Sequence, residues 1–168
     1  VETANFTVKA TNAAGSGAKA LSIDIAAVGD NDVVPDINLR AAINEQLEVS
    51  NSDAPISKTQ MESLQGDLSI VNKSVINLAG LQYAKNVTKL NLADNQISDL
   101  SPLSGLTNLE YLTLNNNQIT NLSPMFGLTN LTLLSLTNNQ ISDLSSLSKM
   151  TKMEYLDLGL NQITNLSS

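Results

Sequence analysis

Four carboxylates, Asp94, Asp99, Asp143 and Asp157, recur along the C-terminal part of this 168-residue chain. Two of them brought face to face could act as an acid and base pair. The chain has no His and no Cys. Imidazole bases, thiolate nucleophiles, disulfides and the commonest zinc ligands are therefore all excluded. The carboxylates themselves read as solvated surface, because each occupies a place that Asn or Ser fills in other copies of the same pattern. An enzyme site also needs a pocket with convergent groups, and none is signalled, so neither an enzyme nor a cofactor is expected. A second set of oxygens, Asp30, Asn31, Asp32 and Asp36, offers hard ligands that calcium would accept. The run is too short to define a coordination sphere, and acidic residues beside Gly29 are ordinary linker composition, so no metal is expected. Arg40 is the single arginine and the net charge is −7. Phosphate backbones are not the partner of such a surface.

The residues that remain are amides and apolar side chains in a strict pattern. Residues 87 to 108 read VTKLNLADNQISDLSPLSGLTN, 109 to 130 read LEYLTLNNNQITNLSPMFGLTN, and 131 to 152 read LTLLSLTNNQISDLSSLSKMTK. The period is 22 without a gap, with a degenerate copy at 65 to 86 and a further one begun at 153. Such self-similarity is the signature of a solenoid, each copy covering its neighbour. With aromatic content at 3% and no Trp, the core must be Leu, Ile, Val and Ala in thin layers.

Each column of the unit has a physical task. Leu109, Leu112 and Leu114 alternate with polar residues at the end of the segment, as in a short strand buried on one face, and these strands are expected to stack in parallel. Asn95, Asn117, Asn139 and Asn161 follow at the ninth place, where the chain turns. There an amide can donate to and accept from exposed backbone groups of its own and the adjoining copy, a structural ladder along the rod. Lys73 interrupts that row in the first copy, as an atypical end repeat would. Ile97, Ile119, Ile141 and Ile163, then Leu100, Leu122, Leu144 and Leu166, supply further inward rows. Ser-Pro at 101–102 and 123–124 opposes continuous α-helix, so the return limb is expected as 3₁₀ turn or extended backbone.

On the outward side, the third, fifth and seventh places are expected to form columns across the sheet. The third reads Asp67, Lys89, Tyr111, Leu133, Tyr155; the fifth Ser69, Asn91, Thr113, Ser135, Asp157; the seventh Val71, Ala93, Asn115, Thr137, Gly159. Lys89, Tyr111, Leu133 and Tyr155, with Asn91, Thr113, Ser135 and Asp157 beside them, are the candidate partner-binding residues, since Tyr is enriched at binding hot spots. Five short strands about 4.8 Å apart offer roughly 300 Å², against about 800 Å² per partner in a standard interface, so repeats beyond Ser168 are expected to share the site.

The unit L-x-x-L-x-L-x-x-N-x-I-x-x-L-x-x-L-x-x-L-x-N resembles the repeat of the internalins and related surface proteins of Gram-positive bacteria. The resemblance implies an α/β leucine-rich-repeat solenoid, its parallel sheet on the concave face, and a small helical cap before the repeats. Residues 35 to 64 suit that cap. Asp36 can N-cap a helix carrying Leu39, Ile43 and Leu47, and Ser57 with Gln60 makes a capping box that Ile56 staples to Met61. Residues 1 to 27 alternate as a β-hairpin, similar to the last strands of a bacterial immunoglobulin-like domain, and 28 to 34 form a linker. The chain is thus expected to be part of a longer protein, extracellular and displayed at a bacterial surface or cell wall. There it would bind a protein, in adhesion or virulence, as a monomer; a structural spacer is the alternative. Its final copy is expected to fray.

Overall fold

A computed structural model describes residues 32–164. The hairpin expected at 1–27, Asp30 and Asn31 of the linker, and Leu166 lie outside the described residues.

The chain enters through two short helices. Helix α1, Ile37–Gln46, starts because Asp36 accepts hydrogen bonds from the N–H groups of Asn38 and Leu39. It buries Leu39, Ala42 and Ile43 and ends at Leu47. Helix α2, Lys58–Ser63, is opened by the reciprocal box in which Ser57 accepts from Gln60 N–H and Gln60 accepts from Ser57 N–H. Ile56 and Met61, on either side of that start, are both fully buried in one core.

Five parallel strands follow in sequential order: β1 Gln65–Ser69, β2 Asn86–Asn91, β3 Tyr111–Thr113, β4 Leu133–Ser135 and β5 Tyr155–Asp157. From β2 onward the register equals the repeat, with Leu90 opposite Leu112, Leu112 opposite Leu134, and Leu134 opposite Leu156. Between β1 and β2 it slips, Gly66 pairing with Val87 and Asp67 with Lys89, so that Thr88 is an extra residue. Each return limb carries a single 3₁₀ turn: 81–83, 101–103, 123–125 and 145–147. Pro102 and Pro124 stand inside two of them, where a fixed φ suits the turn and the missing N–H prevents a longer helix.

Leu92, Leu114 and Leu136, Ile97, Ile119 and Ile141, and Leu109 and Leu131 are all fully buried, and with the cap residues they form one continuous core. The fold is therefore a leucine-rich-repeat solenoid with a helical N-terminal cap. No described helix is long and apolar enough to cross a membrane.

The cap is joined to the first repeat by polar contacts as well as packing. The second oxygen of Asp36 accepts from the N–H groups of Ile76 and Asn77, both at 2.9 Å. Lys73 reaches Glu45 of α1 at 2.9 Å. Asp32 pairs with Arg40, whose guanidinium also donates twice to the Val34 carbonyl. Gly80 has φ +106° and lies so close to the entering chain that a Cβ would meet Val34 Cγ2 at 2.7 Å and Val33 O at 2.8 Å. Only glycine fits both the backbone angle and the gap.

Candidate functional site

The strand register sets Lys89, Tyr111, Leu133 and Tyr155 side by side in one row across β2 to β5. Lys89, Tyr111 and Tyr155 are exposed and Leu133 is half-buried between the tyrosines. Lys89 Nζ lies 3.2 Å from Asp67 Oδ2 and 5.5 Å from the centre of the Tyr111 ring. The row borders a shallow hollow of about 320 Å³ lined by Asp67, Ser69, Lys89, Asn91, Tyr111, Thr113 and Leu133.

The fifth column is less uniform than the alternation of a strand implies. Asn91, Thr113 and Asp157 are half-buried on the same face. Asn91 accepts from Ala93 N–H and Asp157 from Gly159 N–H at 3.0 Å. Ser135 departs from the expectation of an accessible contact: it is 7% exposed and its hydroxyl donates to Asn115 Oδ1 at 2.8 Å. The seventh column departs too, for Ala93 is buried. Strands β2 to β5 end at the fifth place, so the period-two alternation does not extend to the seventh, which already belongs to the turn.

Behind this face run rows of amides. Asn117 Nδ2 donates to the carbonyls of Leu92, Leu114 and Asn115, and its Oδ1 accepts from Ile97 N–H at 2.9 Å. Asn139 repeats the set with Leu114, Leu136 and Thr137 carbonyls and Ile119 N–H. Asn161 repeats it with Leu136, Leu158 and Gly159 carbonyls and Ile141 N–H. Asn95 takes the carbonyls of Ile70, Leu92 and Ala93 and the N–H groups of Lys73 and Val75. Each side chain thus joins its own turn to the preceding one.

Two further rows escaped the sequence reading. At the eighth place Asn72, Asp94, Asn116, Asn138 and Leu160 all adopt positive φ, between 53° and 59°. Asn138 there donates to Asn116, and Asn116 to Asp94. At the last place of the unit, Asn108 and Asn130 donate to the carbonyls of Lys85 and Thr107 in the copy before, both at 2.8 Å. The signal was the Asx bias of those columns, which marks left-handed turns and backbone capping.

Three of the four carboxylates accept hydrogen bonds within their own turns. Asp99 accepts from the hydroxyl and N–H of Ser101, and Asp143 from the N–H and hydroxyl of Ser145, which holds both below the usual carboxylate range. The Gly159 N–H, and after it the Thr137 hydroxyl, lower Asp157 in the same way. Asp94 receives Asn116. Of the oxygens considered for calcium, Asp32 faces Arg40, Val34 N–H and Ile56 N–H, and Asp36 holds four backbone N–H groups. No group of three potential metal ligands assembles among the described residues.

The 22-residue register, the parallel sheet and the amide rows define a leucine-rich-repeat protein. The leucine-rich-repeat family model matches residues 85–126 and 129–168. Among solved structures, an internalin (inlF) from Listeria monocytogenes is 34% identical with a TM-score of 0.78, over 84% of this chain and 42% of that one. The functional domain of InlJ from the same organism, which includes a cysteine ladder, is 31% identical with a TM-score of 0.73, over 81% of this chain and 29% of its own. This chain, without Cys, has amide rows only. It is an internalin-like leucine-rich-repeat protein, and it spans less than half the length of these two structures. No curated protein sequence matches it.

Proposed function

We propose that the chain is a non-enzymatic protein-binding module of a bacterial surface or secreted protein, with the partner held on the outward face of the sheet. One observation carries this reading. Lys89, Tyr111, Leu133 and Tyr155 stand in register on adjacent strands, and the two tyrosines remain 40% and 53% exposed although they belong to the residue types that dominate binding hot spots. Strands fixed by a buried amide row hold that face rigid, so little ordering is lost on association. Asn91, Thr113 and Asp157 supply polar groups around the row, and the internalin likeness fits a module of this kind. Asp99, Asp143 and Asp157 accept hydrogen bonds from their own turns, which fits a structural use of these carboxylates.

The test is the triple change Tyr111→Ser, Leu133→Ser and Tyr155→Ser in the complete protein. A partner captured by the unaltered protein, then purified, should bind the variant at least about tenfold more weakly, a cost of at least 1.4 kcal/mol, while the thermal melt stays nearly unchanged. Hydrogen exchange with the partner bound should protect β2 to β5. Undiminished binding, or protection confined to the return limbs, would move the site off the sheet.

A further inference from the structure

Two tyrosines occupy the third column, and the structure gives a cation to one of them. Lys89 sits over the Tyr111 ring and against Asp67, filling an aromatic and carboxylate seat from within the chain. Tyr155 has the same ingredients around it and no cation. Asp157 follows two residues later on the same strand and the same face, roughly 7 Å along. Leu133 flanks Tyr155 on the neighbouring strand, at the place that Lys89 holds beside Tyr111. Among the described residues no Lys or Arg pairs with Asp157, and Tyr155 is 53% exposed.

We propose that this second seat receives a basic side chain of the protein partner, arginine in preference to lysine. The inference rests on the sheet-face reading above and names the chemistry that the face selects. A guanidinium can lie flat on the tyrosine ring while its fork engages the carboxylate, and Leu133 offers apolar contact to the methylene stem. An apolar side chain would instead cover Asp157 without pairing it, leaving a desolvated charge. The Gly159 N–H holds that carboxylate in place. The net charge of −7 favours approach of a basic group. Lys89 repels the same group from the Tyr111 seat, so the partner is also oriented, its basic residue toward β5 and away from β2.

The experiment needs no identified partner. The isotope-labelled chain is titrated with N-acetyl-arginine methylamide, with its uncharged isostere N-acetyl-citrulline methylamide, and with N-acetyl-norleucine methylamide, while NMR shifts of the Tyr155 and Asp157 resonances are followed. The arginine probe should give saturable changes at both residues, about tenfold stronger than either neutral probe, and Asp157→Asn should abolish that preference. Lys89→Met should open the first seat and add a second set of changes at Tyr111 and Asp67. Equal response to the neutral probes, indifference to Asp157→Asn, or no new site in Lys89→Met would overturn the proposal. If the probes fail while the triple serine variant still loses its partner, the sheet-face reading stands and this one falls. If that variant keeps its partner, the sheet-face reading falls whatever the probes show.

Discussion

Asp36 and Asn77 lie 41 residues apart, yet the Asp36 carboxylate accepts the Asn77 N–H at 2.9 Å while its other oxygen caps helix α1. One side chain therefore fastens the helical cap to the first repeat. Partial burial raises its pKa, but N–H donors from Asn77, Leu39, Ile76 and Asn38 outweigh that and hold it below the ordinary value. A group depressed in the folded state contributes stability above its unfolded pKa, about 3.9, and loses it as pH falls through the lower folded value. The chain should accordingly weaken below about pH 4. Asp36→Asn puts a donor against the Ile76 and Asn77 N–H groups and should cost about 1–3 kcal/mol at neutral pH. Asp99, Asp143 and Asp157 are depressed too and add to the acid loss. The difference between parent and variant melts, followed from pH 7 down to about pH 2.5, isolates Asp36 and should shrink toward zero at the acid end.

The amide row predicts a gradient of mutational cost. Asn117 is nearly buried and satisfies four backbone groups. Asn117→Ala strands several of them away from water and should cost about 2–4 kcal/mol in denaturant unfolding. Asn161 makes the same bonds in a half-exposed setting, where water can replace the side chain, so Asn161→Ala should cost about half as much or less. Equal costs would show that the row does not act through burial.

Gly80 and Gly105 make a matched pair. Adding a methyl at Gly80 drives it into Val33 O and Val34 Cγ2 and forces a residue with φ +106° to carry a Cβ. Gly80→Ala should destabilise by about 2–4 kcal/mol and loosen the cap. Gly105 has ordinary φ and nothing within 4 Å, so Gly105→Ala should be neutral or raise the melting temperature slightly. Thermal melts of the two variants decide.

What a sequence shows of such a fold is whatever recurs. Leu112 and Ile119 are legible as core because Leu90, Leu134, Ile97 and Ile141 stand 22 residues to either side, and Ser57 with Gln60 is legible as a helix start because the capping box is local. The contacts of Asp36 with Ile76 and Asn77, and of Gly80 with Val33 and Val34, occur once, across the cap, and leave no periodic mark. Ser135 looks like Thr113 in alignment, but the Asn115 side-chain Oδ1 takes its hydroxyl and withdraws it from the surface. Orientation on the sheet follows from alternation; accessibility depends on which neighbour a short polar side chain finds.

Protection from hydrogen exchange should fall along the rod. Leu112 and Leu134, at the fourth place of their repeats, are fully buried, whereas Leu156 at the same place is 43% exposed. Amides of β5 that bond back to β4 should exchange faster than those joining β3 to β2, because local opening is easier where fewer apolar contacts must break. Uniform protection from β2 to β5 would contradict this ordering.

Leu160 is the one apolar residue in the row of left-handed turns, with φ 53° and 77% exposure where the other described copies have Asn or Asp. Leu at such an angle carries about 1 kcal/mol of strain that Asn largely avoids, because its short polar side chain can bond locally. The same row shows what an amide would gain: Asn138 donates to Asn116 Oδ1 at 2.9 Å, and Asn116 donates to Asp94 Oδ1 at 2.6 Å. An amide at 160 stands in the corresponding place relative to Asn138 and can extend the chain of donors by one. Leu160→Asn should therefore stabilise the protein by about 0.5–1.5 kcal/mol and slow exchange of the backbone amides at positions 159 and 160. Leu160→Ala, which removes the exposed side chain but keeps a Cβ at positive φ and supplies no amide, should gain little. If the alanine variant matches the asparagine variant in its thermal melt, relief of surface hydrophobicity rather than the turn and its ladder explains the gain, and the reading of the eighth column is wrong.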